Sequence, residues 1–318
     1  MKHLFIINPK ARRLKGRVDD IVREIEVLFA GSSQLEYHIH ITRWKRDASG
    51  FARRYVYGTD TIVRVYAVGG TATLFEVING VTNLPNIQIA FWPFGETNLF
   101  LRYFEADKRE RFHSLRNLIF SGVTSFDLIR YGNNYGICFG IMGLEAVIAR
   151  HRYRIVGYAG FLSGISDQIC LALGAYHILK KQGEQFYNVV IDNEHRYEKY
   201  VSLLVANQPC YAGNMRPAAD AVPDDGLLDV YLVKRPPLLH LFAVMTDYLR
   251  GNYHKWPQYI SHFQGKRVTI YSEQSMLINV DGEYFYENVI DCEVIPRAMD
   301  FACPQTSVPY NRTGSISS

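Results

Sequence analysis

What this chain lacks narrows its chemistry first. Its 318 residues hold only five cysteines, Cys138, Cys170, Cys210, Cys292 and Cys303, with no C-x-x-C spacing among them. Such an odd, dispersed set reads as reduced thiols in a cytosolic setting. No apolar run approaches the roughly 18 residues of a membrane span. The apolar stretch Leu4–Ile7 stops at Asn8-Pro9, too soon for a signal peptide, and reads as a strand. There is no Walker A loop, no protein-kinase glycine loop and no H-R-D. G-x-S-x-G and H-E-x-x-H are missing too, which disfavours a serine hydrolase of that type and a zincin. Internal repeats and low-complexity tracts are absent.

Acid is also scarce where the chain begins. Before Asp19 stand Lys2, Lys10, Arg12, Arg13, Lys15 and Arg17 with no carboxylate. Further basic clusters are Arg43, Lys45, Arg46, Arg53, Arg54 and His151, Arg152, Arg154. They suit phosphates or an anionic membrane face, or are simply solvated surface. The net charge of +4 is too small to imply a nucleic-acid partner.

What is present falls into two patterns. Up to residue 124 strands alternate with helices: LFII, a helix over Val18–Phe29, EYHIHI, a helix over Ala48–Tyr57, TIVRVYAV, IQIAFWP. That order predicts a mainly parallel sheet covered by helices, with ligands at the carboxyl ends of its strands. From Ser125 the period shortens to strands rich in aromatic and β-branched residues, among them YGICFGI, KYVSLLVAN, LLDVYLV and SMLINVDGEYFYENVIDCEV. This predicts an antiparallel β-sandwich over 125–295, with helices at Val156–Leu179 and Pro237–Leu249. The apolar Val156–Leu179 segment reads as a buried helix or as the wall of an apolar pocket.

Three loops at the sheet's carboxyl edge are candidates for binding: Asn8-Pro9, Gly69–Thr73 and Pro93–Asn98. In VGGTATLFEVING, Val68–Gly80, two glycines permit close backbone approach at a helix start, which suits phosphate oxygens. Gly80 is placed as the helix stop. His38 and His40 share one strand face without a third metal ligand, as an ordinary strand would. Asp224-Asp225-Gly226 and Asp281-Gly282 are turn signals in their own right.

Taken in order, these segments resemble the diacylglycerol kinase and sphingosine kinase superfamily, including its bacterial soluble lipid kinases. VGGTATLFEVING is similar to V-G-G-D-G-T-x-x-E-V-x-N-G, and PFGETNLFLR to P-x-G-T-x-N-D-F-A-R. GICFGIMGLEAVIAR resembles the family's glycine before a short helix, PDDGLLDVYLV its D-G-x-L-D-V block, and VDGEYFY its late D-G-E block. The resemblance runs over residues 5–290. It implies a nucleotide domain over 1–124, with 296–318 packing back on it, and a lipid domain over 125–295. It implies an ATP-dependent lipid kinase acting with Mg2+ on a diacylglycerol-like, sphingoid or ceramide-like hydroxyl. Such a protein would be cytoplasmic and peripheral at an anionic inner membrane face, and exposed strand edges would allow a homodimer.

By position, the resemblance assigns nucleotide contacts to Asn8, Pro9, Gly69, Gly70, Thr71, Thr73, Gly95, Glu96, Thr97 and Asn98, with Glu76 supporting the loop. Asp225, with the carbonyls of Val222 and Leu227, takes the metal position. Glu283 takes the position of the base that accepts the lipid hydroxyl proton, beside Asp281. The chain departs from the pattern where Thr71 replaces an aspartate, Ala72 a glycine, Glu96 a threonine and Leu99 an aspartate. KARRLKGR also lacks the family's small residues after N-P. Two acids are thus lost near the phosphates, and Glu96 is expected to restore one. A kinase-shaped binder that transfers nothing, and a kinase for a non-lipid alcohol, are the rival readings.

Overall fold

The computed structural model describes residues 1–30, 36–95, 98–158, 184–209 and 215–304, the side chains of 152–158 excepted. The chain forms two compact units. The first comprises Met1–Leu128 and returns from Ile295 onward, and the second is Ile129–Val294.

Unit 1 is α/β. Its strands β1 (Lys2–Ile7), β2 (Glu36–Ile41), β3 (Val63–Gly69) and β4 (Ile87–Pro93) lie parallel in the order β2-β1-β3-β4. Beyond β4 the returning chain adds a further parallel strand, pairing Asp300 with Gln88 and Phe301 with Ile89. β3 is buried along its whole length, as the near-continuous apolar run VRVYAVG requires of a central parallel strand. Its one charge, Arg64, is satisfied inside. The guanidinium donates to the carbonyls of Leu118 (2.7 Å), Ile119 (2.9 Å) and Ser121 (3.1 Å) at the end of a short helix, and to Gln88 Oε1. Those carbonyls are the orphan acceptors of a helix terminus, where a cation is favoured.

The helices are α1 (Val18–Ala30), α2 (Asp47–Val56), α3 (Thr71–Val81), α4 (Ala106–Arg111) and α5 (Leu115–Phe120). α1 buries Ile21, Ile25 and Phe29, the spacing that predicted it. Gly80 is not a stop. α3 continues through it to Thr82, whose N–H and hydroxyl both bond Ile78 O, at 2.8 and 2.6 Å. The glycine serves packing instead, since a Cβ there would lie 2.5 Å from Ser49 O of α2.

Unit 2 is an antiparallel β-sandwich. After β5 (Gly122–Tyr131), which enters it from unit 1, come β6 (Asn134–Gly136), β7 (Phe139–Gly143), β8 (Gln185–Ile191), β9 (Glu194–Tyr200), β10 (Ser202–Ala206), β11 (Leu228–Val233), β12 (Ile260–Gly265), β13 (Arg267–Val280) and β14 (Glu283–Cys303). YGICFGI, expected as one strand, breaks at Ile137-Cys138 into β6 and β7. One sheet edge runs β12-β11-β10-β7-β13. β13 has three partners: on one side Val268–Ser272 pair with β8 and Ile278–Val280 with β7, and on the other it pairs along its length with β14, with a register shift between Tyr271 and Met276. Bulges of this kind let one strand turn a sandwich corner. Helices α6 (Leu144–Tyr158) and α7 (Leu238–Leu249) complete the unit. Beyond Tyr158 the expected Val156–Leu179 helix lies outside the described residues.

Candidate active site

In unit 1 the strand order reverses direction between β1 and β3, the place where open parallel sheets bind ligands. The loops leaving those two strands are tied together there. Asn8 Nδ2 donates to Thr73 Oγ1 (3.0 Å), Asn8 N–H to Val68 O (3.0 Å), and Arg13 N–H to Phe94 O (3.1 Å). The basic loop Lys10–Arg17 is thereby held against the ends of β3 and β4, while Pro9 stands half-buried at its start.

The glycines of both motifs meet. A Cβ on Gly95 would lie 2.5 Å from Gly70 Cα and 2.6 Å from Asn98 Oδ1; one on Gly69 would collide with Thr73 Oγ1 at 2.4 Å. Bare backbone is therefore obligatory at this crossing. α3 starts there with Gly70 as its N-terminal boundary and no side-chain cap. An uncapped helix start flanked by glycine is a ready seat for an anion.

Asn98 sits in the left-handed region (φ 36°, ψ 62°) and donates Nδ2 to Gly95 O at 3.2 Å. Its buried Oδ1 has no hydrogen-bond partner among the described residues, an acceptor position suited to a ligand hydroxyl or amino group. The two departures Thr71 and Leu99 contact each other: Thr71 Oγ1 accepts from Leu99 N–H at 3.0 Å. A hydroxyl thus does locally what a carboxylate could do for the same amide, and Leu99 is buried. Glu76 bonds the start of α2. Its Oε1 accepts from the N–H of Arg46 (3.0 Å), which is left-handed and begins α2. Glu96 and Thr97 lie outside the described residues. The His38 and His40 rings stack on Phe51, and His40 Nε2 lies 3.2 Å from Asp47 Oδ2, so this pair serves the packing of α2.

In unit 2, Asp281 and Gly282 form the two-residue hairpin turn between β13 and β14, both left-handed (φ 49° and 94°). The D-G signal alone explains that turn. Asp281 cannot serve as a solvent-facing base. Its buried carboxylate accepts from the N–H groups of Ile137 (2.5 Å), Cys138 (3.0 Å) and Phe139 (3.1 Å), pinning the break between β6 and β7. Burial pushes this carboxyl up to about 6, and the amide bonds restrain the rise.

The sign follows from linkage. A folded-state value raised above the ordinary 3.8 means that the group's stabilisation is complete below that value and lost as pH rises through about 6. Urea unfolding of the wild type between pH 4 and 6 should carry a negative slope approaching about 1.4 kcal/mol per pH unit that Asp281→Asn lacks. Parallel slopes in the two proteins would contradict the assignment.

Glu283 is half-buried and opens β14 opposite Val280. It stands near Tyr131, whose phenol is pushed well up by burial and by the Asp281 and Glu283 carboxylates. Tyr131 thus stays protonated beside it. Asp225 lies in the turn before β11, where its Oδ1 accepts from Leu227 N–H at 3.0 Å, with Gly226 left-handed (φ 74°). No group of three His, Cys, Asp or Glu converges as a metal site among the described residues. One carboxylate with neighbouring carbonyls fits magnesium only as part of a shell that nucleotide phosphates complete. On that donor chemistry Asp225, Val222 and Leu227 are compatible with the ion.

Sequence reasoning missed Gln208, which follows β10. It is 1% exposed, and neither of its amide atoms has a hydrogen-bond partner among the described residues. Only burial distinguishes it, and burial is not written in a single sequence.

A parallel α/β unit with a glycine-lined, uncapped helix start is thus joined in one chain to an antiparallel sandwich. Residues 2–131 match the diacylglycerol kinase catalytic domain, and residues 160–303 match the YegS C-terminal NAD kinase beta sandwich-like domain. Together these two matches support the diacylglycerol kinase and sphingosine kinase superfamily. A Staphylococcus aureus protein (strain bovine RF122 / ET3-1) named "Putative lipid kinase" is 28% identical over 242 residues, covering 74% of this chain and 75% of its own. Its counterpart in strain Newman is 27% identical over the same coverage. A solved structure titled as "a putative diacylglycerol kinase" from Bacillus anthracis str. Sterne superposes with a TM-score of 0.70 at 21% identity, covering 96% of this chain and 97% of the other. That likeness is one of fold.

Proposed function

We propose that this chain is an ATP-dependent kinase for a hydroxyl of a diacylglycerol-like, sphingoid or ceramide-like lipid. The observation that carries the reading is the Gly70–Gly95 crossing, where main chain meets main chain at an uncapped helix start. Unit 1 grips the phosphates through the amides around Gly69, Gly70 and Thr71, with Asn8 and Thr73 fixing the loops. Asn98 Oδ1 takes a hydroxyl or amino group of the nucleoside. Glu283 accepts the acceptor hydroxyl's proton as that hydroxyl's oxygen bonds to the γ-phosphorus and the bond to ADP breaks. A carboxylate is adequate because the transfer is largely dissociative. Magnesium, held by Asp225 with the carbonyls of Val222 and Leu227, would supply charge neutralisation across the phosphates.

The test is purified protein with ATP, magnesium and mixed micelles of diacylglycerol, ceramide and sphingosine. A phosphorylated lipid is expected from one of them, and folded protein that labels none would end the reading. In the same assay Glu96→Gln should lower both turnover and its magnesium dependence. If neither moves, Glu96 does not replace the lost acids. The Thr71–Leu99 bond favours a second reading, a binder without transfer, because it occupies both positions where the family carries an acid. Thermal stabilisation by lipid but not by ATP with magnesium would select it.

A further inference from the structure

Two adjacent amides follow β10, and the fold treats them differently. Asn207 is bonded into unit 2: its N–H donates to Cys138 O at 2.8 Å and its Nδ2 to Ile137 O at 2.9 Å. Gln208 is buried beside it, yet neither Nε2 nor Oε1 meets a hydrogen-bonding atom among the described residues. Glutamine is ordinarily an exposed residue. A carboxamide that has left water without gaining a partner is costly, and a folded protein has to account for it. Either a bound molecule completes it or buried water does.

Its place in the sheet favours a bound molecule. The backbone of Ile137-Cys138, where β6 breaks from β7, is clasped from two sides. Asn207 takes its carbonyls, and the Asp281 carboxylate takes its N–H groups at 2.5 and 3.0 Å. Gln208 follows the first clasp by one residue, and Glu283 follows the second by two. The register agrees. Ala206 pairs with Phe139, and Val280 pairs with Gly140 on one side and Glu283 on the other. The end of β10, the start of β7, the end of β13 and the start of β14 therefore lie along one margin. Three strand spacings of about 4.8 Å, about 14 Å in all, separate the backbones of Gln208 and Glu283. Two long side chains with a small polar head group between them span that distance.

The carboxamide makes two demands: Nε2 needs an acceptor and Oε1 needs a donor. Beside the free hydroxyl of a diacylglycerol stand esters, which only accept. A sphingoid or ceramide head carries O–H and N–H groups there, and these satisfy both ends. A site with buried hydrogen-bonding groups rejects an analogue that leaves one of them unpaired. We infer that Gln208 bonds the polar group beside the phosphorylated hydroxyl, and that it selects acceptors bearing an O–H or N–H there over 1,2-diesters. The inference rests on the lipid-kinase reading and narrows its substrate class. Glu283 takes the proton of one hydroxyl, and Gln208 reads the group next to it.

The test contains no nucleotide. N-octanoylsphingosine and 1,2-dioctanoylglycerol, in matched detergent micelles, are titrated by calorimetry into full-length wild type, Gln208→Met and Gln208→Ala. The wild type should bind the ceramide about tenfold or more tightly than the diester, and both variants should hold the two lipids within about twofold of each other. Gln208→Met keeps the volume and removes two unpaired buried groups, so its urea midpoint without lipid should equal or exceed that of the wild type. If the variants keep the wild-type preference and Gln208→Met unfolds earlier, the carboxamide holds buried water only, and the inference is overturned. It is equally overturned if the wild type binds the two lipids alike, prefers the diester or binds neither. Equal binding leaves the kinase reading standing, because either lipid can still accept a phosphoryl group. A ceramide preference lost in the variants, with no lipid ever phosphorylated, removes the transfer and keeps Gln208 as the selecting residue.

Discussion

Glu283→Gln is expected to lower turnover on the preferred lipid by about 10²–10⁴-fold, the usual worth of a positioned general base. The loss should fall on kcat, with little change in the ATP concentration needed for half-saturation, because the nucleotide grip proposed above uses residues of unit 1. The fold should tolerate the change. Glu283 is half-buried at the first position of β14, and the hairpin before it is held by Asp281, Gly282 and the Asn279 side chain, whose Oδ1 accepts from Gly282 N–H at 2.8 Å. Steady-state kinetics with both substrates varied, alongside urea unfolding, separates these effects. A variant that keeps wild-type kcat removes Glu283 as the base. The matching change at Asp281 has a different signature, because that carboxylate holds three backbone amides. Losing charged hydrogen bonds of this kind shows first as lost stability.

Gly95→Ala should force apart the two glycine loops of unit 1. The new Cβ would lie 2.5 Å from Gly70 Cα, and backbone cannot rotate away as a side chain can. Separating the loops should cost about 1–3 kcal/mol of stability. It should also cost more than tenfold in nucleotide affinity, since the amides no longer converge. The measurement is the thermal shift on adding ATP with magnesium, expected in the wild type and absent in the variant. Gly122→Ala is the control, because no atom lies within 4 Å of a Cβ there. If Gly95→Ala shows a full nucleotide shift, the crossing of the two glycine loops is not where the phosphates bind.

The architecture was legible because two periodicities write it. Apolar residues at Ile21, Ile25 and Phe29 repeat as a helix face does, and VRVYAVG is buried throughout as a central parallel strand must be. The antiparallel sandwich announced itself by shorter, aromatic-rich strands and by Asp-Gly turns that the backbone angles of Asp281 and Gly282 bear out. Less legible were features set by contacts distant in sequence. Gly80 looks like a helix stop but is required by Ser49, more than a helix away. Asp281 looks like a catalytic neighbour of Glu283, yet its partners lie at Ile137–Phe139. The Thr71–Leu99 bond joins two substitutions that appear as separate losses when read along the chain.

Unit 1 is interrupted: it stops at Leu128 and takes up again at Ile295. The parallel strand that covers β4 is therefore synthesised last. A nascent chain carrying β1 to β4 has an unpaired sheet margin until all of unit 2 has left the ribosome, and such a margin invites mispairing. Cutting the gene after Leu128 would make that transient state permanent, so unit 1 without its returning strand should resist isolation as a separate fragment.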